Sequence, residues 1–179
     1  MPLCYPDTAL CSVRLPPLVP HKCCEAQRAY AAGVGKATNT ITIRRPIEDV
    51  FAVMTDVEKS GLWFPGNVQE HWTSSPPHGV GSTRRAVVTV LGRRSENDAV
   101  TTVYDPPHRA GMRGTSPNAP FDATLRFAPD GDGTLVEVTT AFDLRGWTRI
   151  FGPVISSVYG WAWARGLRTL KRMMESGEL

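Results

Sequence analysis

The stretch FDATLRFAPDGDGTLVEVTTAFDL, residues 121–144, decides the fold class of this 179-residue chain. From 121 to 128 apolar residues alternate with polar ones, and a similar alternation returns from 135 to 144. A period of two is typical of a β strand that buries one of its faces. The DGDG segment at 130–133 lies between the two runs and carries the Asp-Gly signal of a tight hairpin turn. The stretch therefore predicts two neighbouring antiparallel strands.

Further strands are predicted on the N-terminal side of this hairpin. Alternating residues at 38–43, closed by Arg44 and Arg45, indicate a first strand. Beyond residue 66, clusters of Ser, Pro, Gly and Asp recur as turn signals. The runs between these clusters predict four more strands, at 68–72, 83–91, 95–104 and 109–114. Together with the hairpin they give six strands in series, which favours antiparallel pairing.

Three segments have the period of a helix instead. Pro46 begins the first, whose apolar face consists of Ile47, Val50, Phe51 and Met54. A short second helix follows from Asp56 to about residue 64. The third spans 147–175, and Pro153 either kinks this helix or marks its start. Its apolar stripe is predicted to contain Trp147, Phe151, Val154, Ile155, Val158, Ala162, Leu170 and Met173.

The order of these elements, β-α-α-β6-α, indicates an α+β fold. The long C-terminal helix has two possible roles. Trp161 and Trp163 near Arg165 fit a helix that lies on a membrane surface. The inner face of the sheet needs a cover, however, and this favours a helix packed on the sheet. A long helix over a strongly curved sheet leaves a space between the two.

Composition and charge exclude several classes of protein. The chain is 41% hydrophobic and 21% charged, which is ordinary for a globular domain. Its apolar runs are shorter than the ~20 residues of a membrane span, so no stable membrane insertion is expected. The formal net charge is +3, and residues 1–36, with four basic and two acidic groups, supply +2 of it. A nearly neutral remainder disfavours nucleic-acid binding.

The first 36 residues differ from the rest of the chain. All four cysteines, Cys4, Cys11, Cys23 and Cys24, lie there with five prolines and no regular period. Their irregular spacing disfavours a zinc site, and no uninterrupted apolar run suggests a signal peptide. We expect a disordered or poorly ordered extension at 1–36, with Val34 as a candidate native start, and one domain at 37–176. A reducing cytoplasm is the expected compartment.

Six short motifs in a fixed order carry a resemblance to a known family. They are IRRPIEDVF at 43–51, TD at 55–56, WFP at 63–65, GVGS at 79–82, DPPHR at 105–109 and PDGDGT at 129–134. Over about 38–175 the chain resembles the SRPBCC superfamily of START-like, Bet v 1-like helix-grip proteins, in particular its polyketide cyclase/dehydrase-type branch. The resemblance implies a curved, seven-stranded antiparallel sheet wrapped on the long C-terminal helix. It also implies an apolar ligand held in a cavity between them.

The wall of that cavity can be predicted from strand parity and from the helix stripe. Five residues are expected to point from the sheet toward the helix: Phe121, Leu125, Phe127, Val138 and Phe142. Three can point back from the helix: Phe151, Ile155 and Tyr159. Trp63 and Met112 are expected to flank the entrance. These ten are the candidate ligand-binding residues, and their aromatic rings can themselves fill much of the cavity.

The sequence carries no recognisable catalytic motif. His71, His78 and His108 have no Cys, His or Glu at ligand spacing, so neither a metal nor another cofactor is expected. Tyr104, Tyr159 and Arg165 could polarise a carbonyl group inside a cavity. Arg85 or Arg113 could do so as well if its strand turns it inward. The catalytic residues, if there are any, are not identified by the sequence.

Three functions remain open at this point. The first is a binder or carrier of a small hydrophobic molecule such as a lipid, a quinone or an aromatic polyketide. The second is an enzyme of the cyclase/dehydratase type that works in the same cavity without a metal. The third is a protein-interaction module similar to a chaperone cofactor, which would show an exposed apolar patch.

Overall fold

A seven-stranded antiparallel sheet is the larger layer of the structure, a computed structural model that describes residues 35–66, 69–90, 93–115, 120–144, 150 and 152–179. The strands are β1 (Gly35–Ile43), β2 (Gln69–Trp72), β3 (Thr83–Val90), β4 (Arg93–Asp105), β5 (Arg109–Gly114), β6 (Phe121–Asp130) and β7 (Gly133–Phe142). The helices are α1 (Ile47–Thr55), α2 (Ser60–Trp63) and α3 (Gly152–Ser176), and a 3-10 turn at Val57–Lys59 precedes α2.

The strands follow the order β1-β7-β6-β5-β4-β3-β2 across the sheet. Every neighbouring pair is antiparallel, and β6 and β7 form the hairpin predicted from residues 121–144, with Asp130 paired to Gly133. β1 returns to the far edge and pairs with β7. With α3 as the long C-terminal helix, the predicted α+β helix-grip architecture is confirmed.

The starts of β1 and α3 differ slightly from those expected from the sequence. β1 begins at Gly35, two residues before the expected domain boundary, because Gly35 and Lys36 continue the ladder opposite Phe142 and Ala141. Pro153 lies in the first turn of α3, where its missing N–H costs no helical hydrogen bond. The rest of the predicted extension up to residue 34, together with Trp147 and Phe151, lies outside the described residues.

The main core forms between α1, α3 and the β1, β6 and β7 part of the sheet. Val50, Phe51 and Met54 of α1 are buried, as its period predicts. They join a cluster that includes Ile43, Val136, Val138, Leu167, Leu170 and Met174. Beside the strand ends, the Arg45 Nε donates to the Met174 carbonyl at 2.7 Å and the Lys171 Nζ donates to the Thr42 carbonyl at 2.6 Å. These contacts tie the last turns of α3 to the end of β1.

The apolar stripe predicted for α3 is wrong in part. Val154 and Val158 are 60% and 57% exposed, and the buried face of the helix consists instead of Gly152, Trp163, Gly166, Leu167, Leu170 and Met174. At about 100° per residue, Val158 lies about 140° around the helix from Trp163, so the two residues belong to different faces.

Small residues explain this orientation of the helix. A Cβ on Gly35 of β1 would lie 2.7 Å from the Ser156 Oγ, and one on Gly160 would lie 3.7 Å from the Ala37 Cβ. The helix therefore places its small residues, rather than its valines, against β1.

Candidate ligand cavity

A cavity of about 170 Å³ lies between the sheet and the helices. The helices contribute Met54, Thr55, Ser60, Trp63, Tyr159 and Trp163 to its wall, and Phe64 follows α2. The sheet contributes residues from β2 through β7. The cavity therefore runs across most of the curved sheet, from the edge strand β2 to β7.

Five of the ten candidate ligand-binding residues line this cavity: Trp63, Met112, Phe121, Leu125 and Tyr159. Phe127, Val138 and Phe142 are buried outside its wall. Ile155 is half-buried and also lies outside the wall, and Phe151 is not among the described residues.

The packing around Phe127 and Phe142 explains why they do not line the cavity. The Phe127 ring lies edge-on to Phe51 of α1 with centroids 5.3 Å apart, so α1 covers this end of β6. Phe142 packs behind Phe121 and Tyr159, at 6.2 and 4.6 Å between ring centroids, and those two rings stand between it and the cavity. Strand parity gave the correct face of the sheet, but it could not say which part of that face lies under α1.

One end of the wall is an aromatic cluster of Trp63, Phe64 and Trp163. Phe64 and Trp163 meet edge to face with centroids 4.9 Å apart, and Trp63 lies 5.8 and 6.1 Å from these two rings. Gly166 permits this contact, because a Cβ there would lie 3.3 Å from both Phe64 and Pro65. With a side chain at this position, Phe64 and Pro65 would have to move by a few tenths of an ångström.

The part of the wall on β2, β3 and β4 is polar and was not predicted. Glu70, Trp72, Arg84, Ala86 and Asn97 line the cavity there. The strand register explains the grouping, because Glu70 pairs with Ala86, Trp72 with Arg84 and Ala86 with Asn97, so that these side chains share one face of the sheet.

Arg84 is the basic residue of the described cavity wall. Its guanidinium lies 5.9 Å from the centroid of the Trp72 ring, and its Nη2 contacts the Met112 sulfur. Its Nε atom is buried and has no hydrogen-bond partner within the part of the chain that the structure describes. Burial lowers the pKa of this guanidinium, and the charge of Glu70 acts in the opposite direction. Arginine nevertheless stays protonated in proteins, so the wall contains a cation.

Arg85 and Arg113, the two arginines considered from the sequence, do not face the cavity. Arg85 donates to both carboxylate oxygens of Asp98, at 2.7 and 3.1 Å, on the opposite face of the sheet. Arg113 does the same with Asp122 at 3.0 and 3.3 Å. Because Arg84 and Arg85 are adjacent, the sequence alone could not tell which of them turns inward. Arg84 pairs with Trp72 across β2 and β3, so its side chain lies on the same face of the sheet as that ring and faces the cavity.

Three residues of the cavity wall each have a buried polar atom that finds no hydrogen-bond partner among the described residues. These atoms are the Trp63 Nε1, the Arg84 Nε and the Thr140 Oγ1. A buried donor or acceptor without a partner costs about 1–3 kcal/mol, so such atoms usually meet a ligand or an ordered water. The three residues line the cavity, so a bound molecule or an ordered water is a candidate partner for these atoms.

The other candidate polar residues are placed differently. Tyr104 and Tyr159 line the cavity, and partial burial raises the pKa of Tyr159, so that its hydroxyl stays protonated at neutral pH. Arg165 lies 5.7 Å from the Trp161 ring and outside the cavity wall. His71 and His108 are exposed, and His78 stacks on Trp72 with ring centroids 4.1 Å apart.

Two other kinds of site are absent from the described ranges. These ranges contain no group of three or more His, Cys, Asp or Glu side chains that could hold a metal ion. They also contain no helix that is both long and apolar enough to cross a membrane.

Several solved structures share this fold. TTHA0849 from Thermus thermophilus superimposes with a TM-score of 0.64 at 16% identity, over 80% of this chain and 99% of that one. A START superfamily protein from Mycobacterium smegmatis gives 0.64 at 18% identity, over 79% and 97%. CalU16 from Micromonospora echinospora gives 0.54 at 18%, over 75% and 73%. At these identities the likeness concerns the fold alone.

Sequence comparison identifies the family. No curated protein matches the chain. A family model described as "Polyketide cyclase / dehydrase and lipid transport" matches residues 35–175, which include all the described strands and nearly all of α3. The predicted superfamily and branch are therefore confirmed, and the chain belongs to the polyketide cyclase/dehydrase and lipid transport family.

Proposed function

We propose that this protein binds a small hydrophobic molecule in the cavity between its sheet and α3. The observation that carries the proposal is the wall itself. Trp63, Leu125 and Phe121 supply apolar surface, and three of the wall residues have a buried polar atom without a partner in the described ranges. Burying such surface against a ligand is favourable by about 25 cal/mol per Å². A few polar groups would then orient the molecule.

The size of the cavity narrows the class of ligand. Sites for drug-sized molecules are roughly 300–1,000 Å³, whereas an apolar cavity of about 150 Å³ binds benzene. The volume of about 170 Å³ in this protein suits one or two fused rings better than a two-chain lipid. The proposal therefore favours a compact ring compound over the lipids that the sequence analysis left open.

The direct test is binding of naphthalene-sized probes to the full chain. The probes are titrated and their binding is measured by calorimetry, because the variants below change the number of tryptophans in the chain. Leu125→Trp should fill the cavity and abolish binding, whereas Val158→Trp, at a position 57% exposed, should leave it unchanged. Met112→Phe serves as a second filling variant if Leu125→Trp does not fold. Equal binding by the filling variants and the control would refute the proposal.

An enzyme of the cyclase/dehydratase type is the second candidate. The observation that favours it is the presence of Glu70, Arg84 and Tyr159 in one wall, since such groups could hold a carbonyl and move a proton. A bound polyketide-type compound that is consumed by the wild type, but not by a Glu70→Gln variant that still binds it, would support this function. A compound recovered unchanged would favour simple binding.

A further inference from the structure

The polar end of the cavity limits the chemistry of the ligand, provided that the binding function proposed above is correct. Arg84 offers a buried Nε donor, and its other described contacts are the Met112 sulfur and the face of Trp72. A thioether is only a weak acceptor. Within the described part of the chain, the guanidinium therefore has no oxygen acceptor, and a ligand oxygen is a suitable partner.

Glu70 lies beside Arg84 and carries the opposite charge. The two are diagonal neighbours across the β2–β3 ladder, because Trp72 pairs with Arg84 and Glu70 pairs with Ala86. Diagonal neighbours are roughly 7–8 Å apart, close enough for both side chains to touch one small molecule. Among the described residues Glu70 forms no hydrogen bond or ion pair, although its charge acts on Arg84. Its carboxylate is therefore an open acceptor.

The net charge of this end of the cavity is zero. The other carboxylate at the wall, that of Asp98, is bound to Arg85 at 2.7 Å on the outer face. An anionic ligand would be attracted by Arg84 but repelled by Glu70. A cationic ligand would be attracted by Glu70 but repelled by Arg84. A neutral group with both an acceptor and a donor satisfies the two side chains together.

We propose that the ligand is uncharged and carries a carbonyl oxygen that accepts from the Arg84 guanidinium next to a hydroxyl that donates to Glu70. Its apolar ring or rings lie toward Leu125, Phe121 and Tyr159 at the other end of the wall. The class is thus a compact hydroxy-ketone, not a carboxylic acid, an amine or a pure hydrocarbon. Trp72, which contacts both His78 and Arg84, lies beside the polar group.

Four probes that share one naphthalene ring system test the proposal on the full chain. They are naphthalene, 2-acetylnaphthalene, 2-(hydroxyacetyl)naphthalene and 2-naphthoate, which present no polar group, an acceptor, an acceptor with a donor, and an anion. Hydrogen bonds to charged groups contribute roughly 1.5–3 kcal/mol, so the hydroxy-ketone should bind about tenfold or more tightly than naphthalene. The ketone should be intermediate, and the naphthoate should bind more weakly than the hydroxy-ketone.

Three variants assign this preference to its residues. Arg84→Met keeps the apolar stem and should reduce the preference for the ketone over naphthalene to about onefold, with Arg84→Leu, which also lacks a donor, as the variant to use if Arg84→Met does not fold. Glu70→Gln should improve the affinity for naphthoate, because it removes the repulsion. Arg126→Met, at an exposed position of β6 outside the cavity wall, is the matched control and should change no ratio.

The outcomes separate this inference from the function on which it rests. If all four probes bind equally, Arg84 and Glu70 are satisfied by water alone, so the inference fails while the cavity remains a binding site. If naphthoate binds most tightly, the inference fails and the cavity is an anion site. If no probe binds to the wild type, the proposed function itself is refuted.

Discussion

Tyr159 of α3 packs against Phe142 of β7, with ring centroids 4.6 Å apart and ring planes at 57°. Phe142 is completely buried, whereas Tyr159 is 36% exposed and lines the cavity. The Phe121 ring lies 6.4 Å from Tyr159 and completes the group. The three rings therefore connect the N-terminal half of the long helix to β6 and β7 at the point where those strands meet the cavity.

The ring of Tyr159, rather than its hydroxyl, should carry most of this contact. Tyr159→Phe keeps the ring, so we expect the free energy of unfolding to change by less than about 1 kcal/mol. Tyr159→Ala removes the packing on Phe142 and should lower it by about 1–3 kcal/mol, less than for a fully buried aromatic because the side chain is partly exposed. Urea denaturation of both variants measures the difference. Equal losses would mean that the hydroxyl stabilises this end of the helix.

The two faces of α3 should respond very differently to truncation. Leu170 is fully buried, and Leu170→Ala should cost about 2–5 kcal/mol of unfolding free energy. Val158 is 57% exposed, and Val158→Ala should change that quantity by less than about 0.5 kcal/mol. Denaturation curves at several protein concentrations check both values. A large, concentration-dependent loss for Val158→Ala would show that the exposed face is covered in solution and would favour the protein-interaction function.

The sequence predicted those features of the fold that depend on local patterns. The alternation at 121–144 and the Asp-Gly turn gave the β6–β7 hairpin, and Pro46 with the face of Val50, Phe51 and Met54 gave α1. These patterns suffice because they depend on neighbouring residues alone. The alternation and the helix period each define one buried face, and the Asp-Gly turn defines one chain reversal.

The orientation of α3 depended on tertiary contacts that no local pattern records. Both of its faces carry apolar residues, so the period of the helix did not distinguish Val154 and Val158 from Trp163 and Leu167. The face that packs on β1 is the one that carries Ser156, which lies close to Gly35. The polar end of the cavity escaped prediction for a similar reason, since only the register of β2 on β3 turns Arg84 inward and Arg85 outward.

Gly114 makes room for an aromatic ring of the cavity wall. It pairs with Phe121 across β5 and β6, and a Cβ at Gly114 would overlap the Phe121 ring. Gly114→Ala should therefore force this ring to move, lowering the free energy of unfolding by about 1–3 kcal/mol and weakening probe binding. Calorimetry and the naphthalene titration measure the two effects.

Gly79→Ala is the matched control for this prediction. A Cβ at Gly79 would have no neighbour within 4 Å, so the substitution should be neutral or slightly stabilising. Gly114→Ala combined with Phe121→Leu should recover part of the lost stability, because a smaller side chain no longer fills the same space. A Gly114→Ala protein with unchanged stability and binding would show that the ring has another position available at no cost.

Glu175 should make the attachment of α3 to the end of β1 sensitive to acid. The Lys171 Nζ donates to its carboxylate at 2.8 Å and the Arg44 backbone N–H does so at 2.9 Å; these hydrogen bonds lower the pKa of Glu175. A carboxyl with a lower pKa in the native state than in the unfolded chain stabilises the fold above the ordinary pKa of about 4.3. That contribution is lost as the pH falls through the lower native value, because the unfolded chain then binds the additional proton.

Glu175→Gln and Lys171→Met should each make the free energy of unfolding less dependent on pH below about pH 4.5 than it is in the wild type. Parallel wild-type and Glu175→Gln curves between about pH 3 and 7 would contradict the prediction, since they would mean that protonation of Glu175 is not linked to folding.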